Sequence, residues 1–341
     1  MEGEALKILA IETSCDETAV AIVEDGRKIL TNQIYTQIDI HQKYGGVVPE
    51  IASRNHVEKL PLIIDTAMED SGLTYEAIDA IAVTSGPGLV GALLIGVSQA
   101  KAMAYALNKP LISVHHIEGH IAANYLQFPE LEPPFLSLVV SGGHSHLIMV
   151  KNYSDFEVIG KTLDDAAGEA FDKIARVLGL GYPGGPAIDK AAKQGNPEAI
   201  DFPRVWLDKG SYNFSFSGLK SAVLNYLNTQ KMKGRAIVVE DVAASFQAAV
   251  VEVLTTKAIE CALDNQVNQL SIAGGVAANS ALRKKLSDAA GENKIQLYYP
   301  DVNLCTDNAA MIGAMAYYNY QAGKVADKKL NAVPNLKIGD H

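Results

Sequence analysis

Apolar and polar positions alternate in blocks along the first third of the chain, and these blocks predict an ordered series of elements. Three apolar, β-branched runs separated by polar turns predict an antiparallel meander of strands at 6–12, 18–23 and 29–35. The pattern then predicts a helix over 49–68, a strand over 78–84, a helix over 89–107 and a strand over 110–114. Another helix is expected to begin near His116.

The same order of elements recurs after a proline-containing stretch at 130–134, the most linker-like part of the chain. Three more strands are predicted at 135–140, 146–150 and 156–160. They are followed by helices near 166–178, 186–194, 218–229 and 239–264, strands at 268–273 and 295–299, and a last helix opening at Asp307. A meander followed by alternating helices and strands, twice over, indicates an internal duplication.

Two such halves predict an α/β protein of the actin-like ATPase superfold (ASKHA), with two duplicated mixed-sheet domains around a central cleft. The first domain is expected over 1–130, together with a C-terminal helix over about 306–325. The second is expected over 131–305. In this superfold a nucleotide is held in the cleft by the turns of the meanders.

Composition narrows the class of protein. Of the 341 residues, 48% are hydrophobic, and the formal net charge is −10. These values indicate a globular chain and disfavour broad nonspecific binding to nucleic acid. The three scattered cysteines form no disulfide framework, the N-terminal segment lacks the apolar core of a signal peptide, and no uncharged apolar run approaches a membrane span. We therefore expect a cytoplasmic protein that does not associate with membranes.

Three polar or glycine-rich turns follow predicted strands. Thr13, Ser14 and Asp16 supply hydroxyls and a carboxylate, whereas 141–144 and 274–275 contain glycine pairs that let backbone N–H groups approach an anion. Each glycine pair alone is also what an ordinary tight turn contains. Their equivalent positions in a duplicated pattern favour a phosphate site.

His116 and His120 are four residues apart on a predicted helix, so their side chains share one face and suit a single metal ion. The alternative is a pair of surface histidines with hydrogen-bonded rings. The zinc protease motif H-E-x-x-H does not fit, because Glu118 stands two residues after His116 and would point away from the metal. Asp307 is the candidate third ligand of a site for zinc or ferrous iron. Its alternative role, shared with Thr306, is to cap the last helix.

Ten segments of the chain together resemble one family closely. They are Ile11–Glu17, Tyr44–His56, Ser85–Leu89, His116–His120, Val140–His144, Gly168–Lys173, Gly184–Pro186, Asn213–Lys220, Gly274–Asn279 and Thr306–Ala310. On these motifs the chain resembles the TsaD family, the bacterial tRNA N6-adenosine threonylcarbamoyltransferases once labelled O-sialoglycoprotein endopeptidases. The resemblance covers residues from about 7 to 325.

The resemblance implies a role for each matching residue. It implies that one divalent metal, Fe²⁺ or alternatively Zn²⁺, is held by His116, His120 and Asp307. It implies that the substrate is bound by Val139, Val140, Ser141, Gly142, Gly143, Asp172, Gly185, Asp189 and Asn279. Glu12, Ser14, Gly274 and Gly275 are further candidates, and Mg²⁺ is a candidate companion of the nucleotide. No catalytic residue is assigned beyond the metal site.

The resemblance also implies the reaction and the partners. The threonylcarbamoyl group of threonylcarbamoyl-adenylate would pass to the exocyclic amine of the adenine 3′ of the anticodon, in tRNAs that read codons beginning with A, and AMP would leave. A TsaB-like paralogue and a TsaE-like ATPase would assist. The alternatives on the same superfold are a small-molecule kinase, which has no use for a His-His-Asp metal site, and a nucleotide-dependent scaffold, which would turn over ATP without acyl transfer to tRNA.

Overall fold

The computed structural model describes residues 5–207 and 210–339. The chain divides into two compact units. The first comprises Met1–Pro133, Val150–Glu157 and Pro300–His341, and the second comprises Pro134–Met149 and Val158–Tyr299.

The first sheet has five strands in the order β3-β2-β1-β4-β5. Its strands are β1 (Lys7–Glu12), β2 (Glu17–Glu24), β3 (Lys28–Thr36), β4 (Ala80–Gly86) and β5 (Leu111–His115). Strands β1 to β3 pair antiparallel, as the predicted meander requires, whereas β4 pairs parallel with both β1 and β5. The parallel strands β1, β4 and β5 therefore deliver their carboxyl ends, and the residues that follow, to one edge of the sheet.

Helices cover this sheet and complete the first unit. They are α1 (Ile38–His41), α2 (Pro49–Ser71), α3 (Val90–Leu107), α4 (His116–Gln127), α10 (Val302–Cys305) and α11 (Ala309–Gln321). Side chains of β1, β2 and β4 form a buried apolar core with α2 and α3. Helix α11 packs against β1 and α4.

The second sheet repeats the topology of the first, with the strand order β8-β7-β6-β9-β10. Its strands are β6 (Phe135–Val140), β7 (Ser145–Asn152), β8 (Asp155–Lys161), β9 (Gln269–Ala273) and β10 (Gln296–Tyr298). Strand β9 pairs parallel with β6 and with β10. The remaining helices are α5 (Ala167–Leu178), α6 (Gly184–Ala192), α7 (Ser217–Met232), α8 (Val239–Asp264) and α9 (Ser280–Glu292). The predicted α/β class and the internal duplication are thus confirmed.

Helices α3 and α8 are long and apolar enough, by length and composition alone, to cross a membrane. No such segment is expected from the sequence, because neither stretch is a long run free of charged residues. Most of α8 is buried inside the protein, and the core helix of a globular protein meets the same criterion. The two helices are therefore weak evidence for a membrane span.

Candidate metal centre and ligand-binding turns

The histidine helix begins where strand β5 ends, and one side chain fixes its first turn. His115 is the N-cap of α4, and its Nδ1 accepts a hydrogen bond from the N–H of Ile117 at 3.1 Å. The helix therefore starts at His116, and His120 follows one turn later on the same face. The two histidine rings lie 4.6 Å apart between centroids.

Close packing of α11 against α4 brings a carboxylate to these rings. Gly119 allows the approach, because a Cβ at that position would lie 2.7 Å from Cδ1 of Ile312 on α11. A second contact of the same kind, between Gly313 and Val23, seats α11 on the first sheet. Asp307, two residues before α11 begins, is thereby carried to the histidine face of α4.

The start of α11 differs from the sequence expectation. The helix begins at Ala309, and its N-cap is Asn308, whose side chain accepts a hydrogen bond from the N–H of Met311. The capping role considered for Thr306 and Asp307 is therefore wrong. The Asp307 carboxylate is directed to the histidines instead.

His116, His120 and Asp307 form a group that could hold a metal ion. Oδ1 of Asp307 lies 3.1 Å from Nε2 of His120 and 3.5 Å from Nε2 of His116, and the three potential ligand atoms lie within 4.8 Å of one another. Two imidazoles and one carboxylate suit Zn²⁺ or Fe²⁺, and three protein ligands leave coordination positions for another molecule.

Glu12 lies directly behind His116. Its Oε2 is 3.2 Å from Nδ1 of His116, and the carboxylate also accepts hydrogen bonds from the Oγ1–H of Thr84 and the N–H of Ser14, both at 2.5 Å. The hydroxyl of Ser14 is itself 3.1 Å from the same Nδ1. Contacts at Nδ1 leave Nε2 facing Asp307, which is how metal-bound histidines are usually oriented by a carboxylate behind them. Glu12 and Ser14 were predicted only as possible substrate contacts. They lie instead where they can fix the ring of His116, a candidate metal ligand.

The two histidines differ in their affinity for protons. Burial disfavours the charged ring of His116, but the carboxylates of Asp307 and Glu12 outweigh it and raise the pKa to about 9. Burial and the neighbouring His116 lower the pKa of His120. The pair therefore holds a proton at neutral pH that a bound metal cation would displace.

The buried atoms at the centre of the group fit a metal. Nε2 of His120 is buried and lies 3.1 Å from Oδ1 of Asp307, but the angles between the two groups are poor for a hydrogen bond. Buried polar atoms rarely lack a partner, so such an atom needs an explanation. A cation between this nitrogen, Nε2 of His116 and the Asp307 carboxylate would supply the partner.

Glu118 takes no part in this group. Its Oε1 accepts a hydrogen bond from the N–H of Gly339 at 3.2 Å, in the C-terminal segment of the chain. Burial raises the pKa of Glu118 to about 7, against the opposing effects of the Gly339 N–H and of Lys324. The carboxylate is therefore not placed as the base of a zinc protease, as its spacing from His116 indicated.

The second group of predicted residues surrounds one edge of the second sheet. Strands β6 and β9 are parallel neighbours, with Val139 paired to Ala273, so the turns that follow both strands meet at that edge. The turn 141–144 is closed by the N–H of Ser141, which donates to the carbonyl of His144 at 2.8 Å. Gly142 and Gly143 are exposed, and a Cβ at either would meet no atom within 4 Å.

Gly274 is a glycine for a different reason. Its φ is +87°, and a Cβ there would collide with the carbonyl oxygen of Val140. The fold of the turn therefore already requires a glycine at position 274. At Gly142, Gly143 and Gly275, by contrast, a Cβ would lie in open space, so packing does not require a glycine. At these three positions, close approach of a ligand to the backbone could explain why the residue is glycine.

Asn279 and the two predicted aspartates are engaged with the protein. Asn279 is the N-cap of α9: its Oδ1 accepts from the N–H of Leu282, and its Nδ2 donates to Oε1 of Gln247 at 2.7 Å. Oδ1 of Asp172 accepts from the N–H of Gly184 at 2.7 Å, at the start of α6. These contacts hold the starts of α6 and α9 in place next to the turns.

Asp189 joins α6 to α9. Its carboxylate accepts from the hydroxyl of Ser280 at 2.8 and 2.9 Å and pairs with Lys193 at 3.2 Å. Gly185, one turn earlier on α6, lies in open space. Sequence reasoning missed Ser280 and Gln247, because a serine and a glutamine inside helices carry no local signal of either contact. Ligand binding by Asp172, Asp189 and Asn279 stays a prediction.

Named relatives match almost the whole chain. The family model described as TsaD, tRNA N6-adenosine threonylcarbamoyltransferase, matches residues 28–314. A protein of that name from Clostridioides difficile (strain 630) is 59% identical over 330 residues, covering 97% of this chain and 98% of its own length. The protein of the same name from Clostridium kluyveri is 56% identical over 336 residues, covering 98% of both chains.

Solved structures that resemble this chain have much lower sequence identity, so they show a shared fold and nothing more. HypF of T. kodakarensis matches with a TM-score of 0.63 at 15% identity, over 96% of this chain and 49% of that one. The activator of 2-hydroxyisocaproyl-CoA dehydratase from Clostridium difficile, with bound ADPNP, matches with a TM-score of 0.53 at 13% identity, over 94% and 97%. The chain spans about half the length of HypF. These likenesses agree with the predicted actin-like ATPase superfold.

Proposed function

Since the chain belongs to the TsaD family of tRNA N6-adenosine threonylcarbamoyltransferases, we propose that it transfers a threonylcarbamoyl group to the N6 amine of adenosine in tRNA. The observation that carries the proposal is the identity of 59% over almost the full length of a relative with that name. The acceptor we propose is the adenine 3′ of the anticodon in tRNAs that read codons beginning with A. The kinase and scaffold alternatives have no comparable support.

We propose threonylcarbamoyl-adenylate as the donor, held by the turns of the second sheet. Because Gly142 and Gly143 are exposed and lack side chains, their backbone N–H groups can approach the phosphate closely. Val139 and Val140 end strand β6 beside this turn. Asp172, Gly185, Asp189 and Asn279 would meet the remainder of the donor along the starts of α6 and α9.

In the transfer, the N6 nitrogen forms a bond to the carbamoyl carbon, the bond from that carbon to the phosphate oxygen breaks, and AMP leaves with the electron pair. The amine loses one proton. Its lone pair is delocalised into the purine, so the donor must be activated and oriented. Cys15 is not a nucleophile for this step, because burial and the nearby Asp16 raise the pKa of its thiol well above the ordinary value.

A metal held by His116, His120 and Asp307 would supply Lewis-acid polarisation and a fixed orientation to the oxygen atoms that it binds. We propose Fe²⁺, because two histidines and one carboxylate are the ligand set of many non-haem ferrous sites, with Zn²⁺ as the alternative. Glu12 fixes the ring of His116 for this role. The residues proposed to hold the metal are therefore different from the residues proposed to bind the donor.

We also propose that a TsaB-like paralogue and a TsaE-like ATPase act with this chain in the cytoplasm. The support is indirect: a formal net charge of −10 is unfavourable for binding tRNA phosphates alone, so partners would share that contact.

Reconstitution tests the proposal. The purified chain, the two partner proteins, an enzyme that makes the adenylate, threonine, bicarbonate, ATP and unmodified tRNA are incubated, and the tRNA nucleosides are analysed by mass spectrometry. We expect N6-threonylcarbamoyladenosine, and none when this chain is omitted or carries His120→Ala. Consumption of ATP with no modified nucleoside would contradict the transferase and favour the scaffold.

A further inference from the structure

The last described residues of the chain form a strap across the edge of the first sheet. Ala326 donates to the carbonyl of Leu111 at 2.8 Å, and Nζ of Lys101 donates to the carbonyl of Leu330 at 2.9 Å. Further along, the N–H of Val333 donates to the carbonyl of Ser85 at 2.8 Å. We call residues 326–339 the C-terminal strap.

Two contacts from the end of the strap reach the first turn of α4. Because Nδ1 of His115 accepts from a backbone N–H, its Nε2 carries the hydrogen, and this donates to the carbonyl of Leu336 at 3.2 Å. The N–H of Gly339 donates to Oε1 of Glu118 at 3.2 Å. Glu118 is fully buried. One strap contact is therefore made by His115, which precedes the proposed ligand His116, and the other by Glu118, which lies between His116 and His120.

Glu118 is the acidic residue of the His116–His120 motif, and neither the proposed metal nor catalysis explains it. A buried carboxylate is costly unless it is well partnered, so its presence on the first turn of α4 needs a reason. Its side chain holds the strap to the helix on the face away from the ligands. We propose that Glu118 is a positioning residue, which fixes the first turn of α4 against the C-terminal strap and so sets the distance between the metal-binding histidines and Asp307. This inference rests on the proposed metal site and not on the identity of the transferred group.

Three variants separate positioning from general stability. Glu118→Ala removes the acceptor for Gly339, whereas Glu118→Gln keeps an oxygen that can accept from it. Gly339→Pro removes the N–H and also forbids the φ of +84° at this residue, so it detaches the end of the strap while the sequence of α4 stays unchanged. The matched control is Lys101→Met, which detaches the strap at Leu330, far along it from α4.

The measurements are Zn²⁺ affinity by calorimetry and the visible spectrum of the Co²⁺-loaded full-length protein, which reports ligand geometry. We expect Glu118→Ala to weaken Zn²⁺ binding by about 10- to 100-fold, as loss of a supporting contact behind metal ligands does, and to change the Co²⁺ spectrum. Gly339→Pro should change both in the same direction. Glu118→Gln and Lys101→Met should bind Zn²⁺ within about threefold of the wild type.

Wild-type affinity and an unchanged spectrum in Gly339→Pro would overturn the inference, even if Glu118→Ala failed to fold. So would an equal loss in Lys101→Met, which would assign the effect to general destabilisation. A wild type that binds neither Zn²⁺ nor Co²⁺ would contradict the metal site itself. A wild type that binds metal but transfers no threonylcarbamoyl group would contradict the proposed function and leave this inference standing.

Discussion

Replacing Gly143 by valine should weaken nucleotide binding without disturbing the fold. A Cβ at this position meets no protein atom within 4 Å, the residue is exposed, and its backbone does not lie in the left-handed region. The valine side chain would therefore occupy the space through which a phosphate approaches the turn. If it prevents one hydrogen bond from the backbone to the charged phosphate, the loss is about 1.5–3 kcal/mol, or roughly 10- to 100-fold in Kd.

Calorimetric titration with AMP measures this loss, and elemental analysis measures the metal in the same preparation. Gly291→Val is the matched control, because Gly291 is also exposed, in open space and within the second unit, but lies near the end of α9. We expect wild-type AMP affinity in that control and wild-type metal content in both variants. Equal AMP affinity of Gly143→Val and the wild type would refute the role of the turn as a phosphate cradle.

Four further outcomes follow. The wild type should carry one transition metal per chain by elemental analysis, and His116→Ala and His120→Ala should each lose it; equal metal in all three proteins would contradict the site. Asp307→Ala should lose the metal and keep most of its AMP affinity by calorimetry. Glu12→Gln should lower metal affinity by about 10- to 100-fold, because the group that orients His116 is weakened. Burial and Lys161 lower the pKa of His146 to about 4, so the unfolded chain binds more protons below pH 6.5. Protonation of His146 should therefore contribute a loss of about 2 kcal/mol between pH 7 and pH 5, measured in denaturant unfolding as the difference in pH dependence between the wild type and His146→Gln.

The order of elements was predictable because each half of the chain repeats one hydrophobic pattern. Strands of three to nine residues with buried β-branched side chains and helices with one apolar face leave clear periodicities. The two histidines were recognisable for the same reason, since their spacing matches one turn of a helix.

Contacts between distant segments were not predictable. Thr306, Asp307 and Asn308 are all good helix caps, and only the packing of α11 against α4 selects Asn308 and turns Asp307 to the metal group. Glu12 lies 104 residues from His116, and no local pattern joins them. The engagement of Asp189 with Ser280 is equally non-local. The sequence thus predicted the residues that form the candidate metal group, but not the residues that contact them from behind.

The proposed transfer of a threonylcarbamoyl group from an adenylate to tRNA can be measured directly. Threonylcarbamoyl-adenylate labelled with ¹³C at the carbamoyl carbon can be supplied directly, with the chain, its two proposed partners and unmodified tRNA, without threonine or bicarbonate. Mass spectrometry of the nucleosides should then find the label in N6-threonylcarbamoyladenosine, with one AMP released for each group transferred. Unlabelled tRNA beside intact donor, or donor hydrolysed to AMP with no modified adenosine, would contradict the claim.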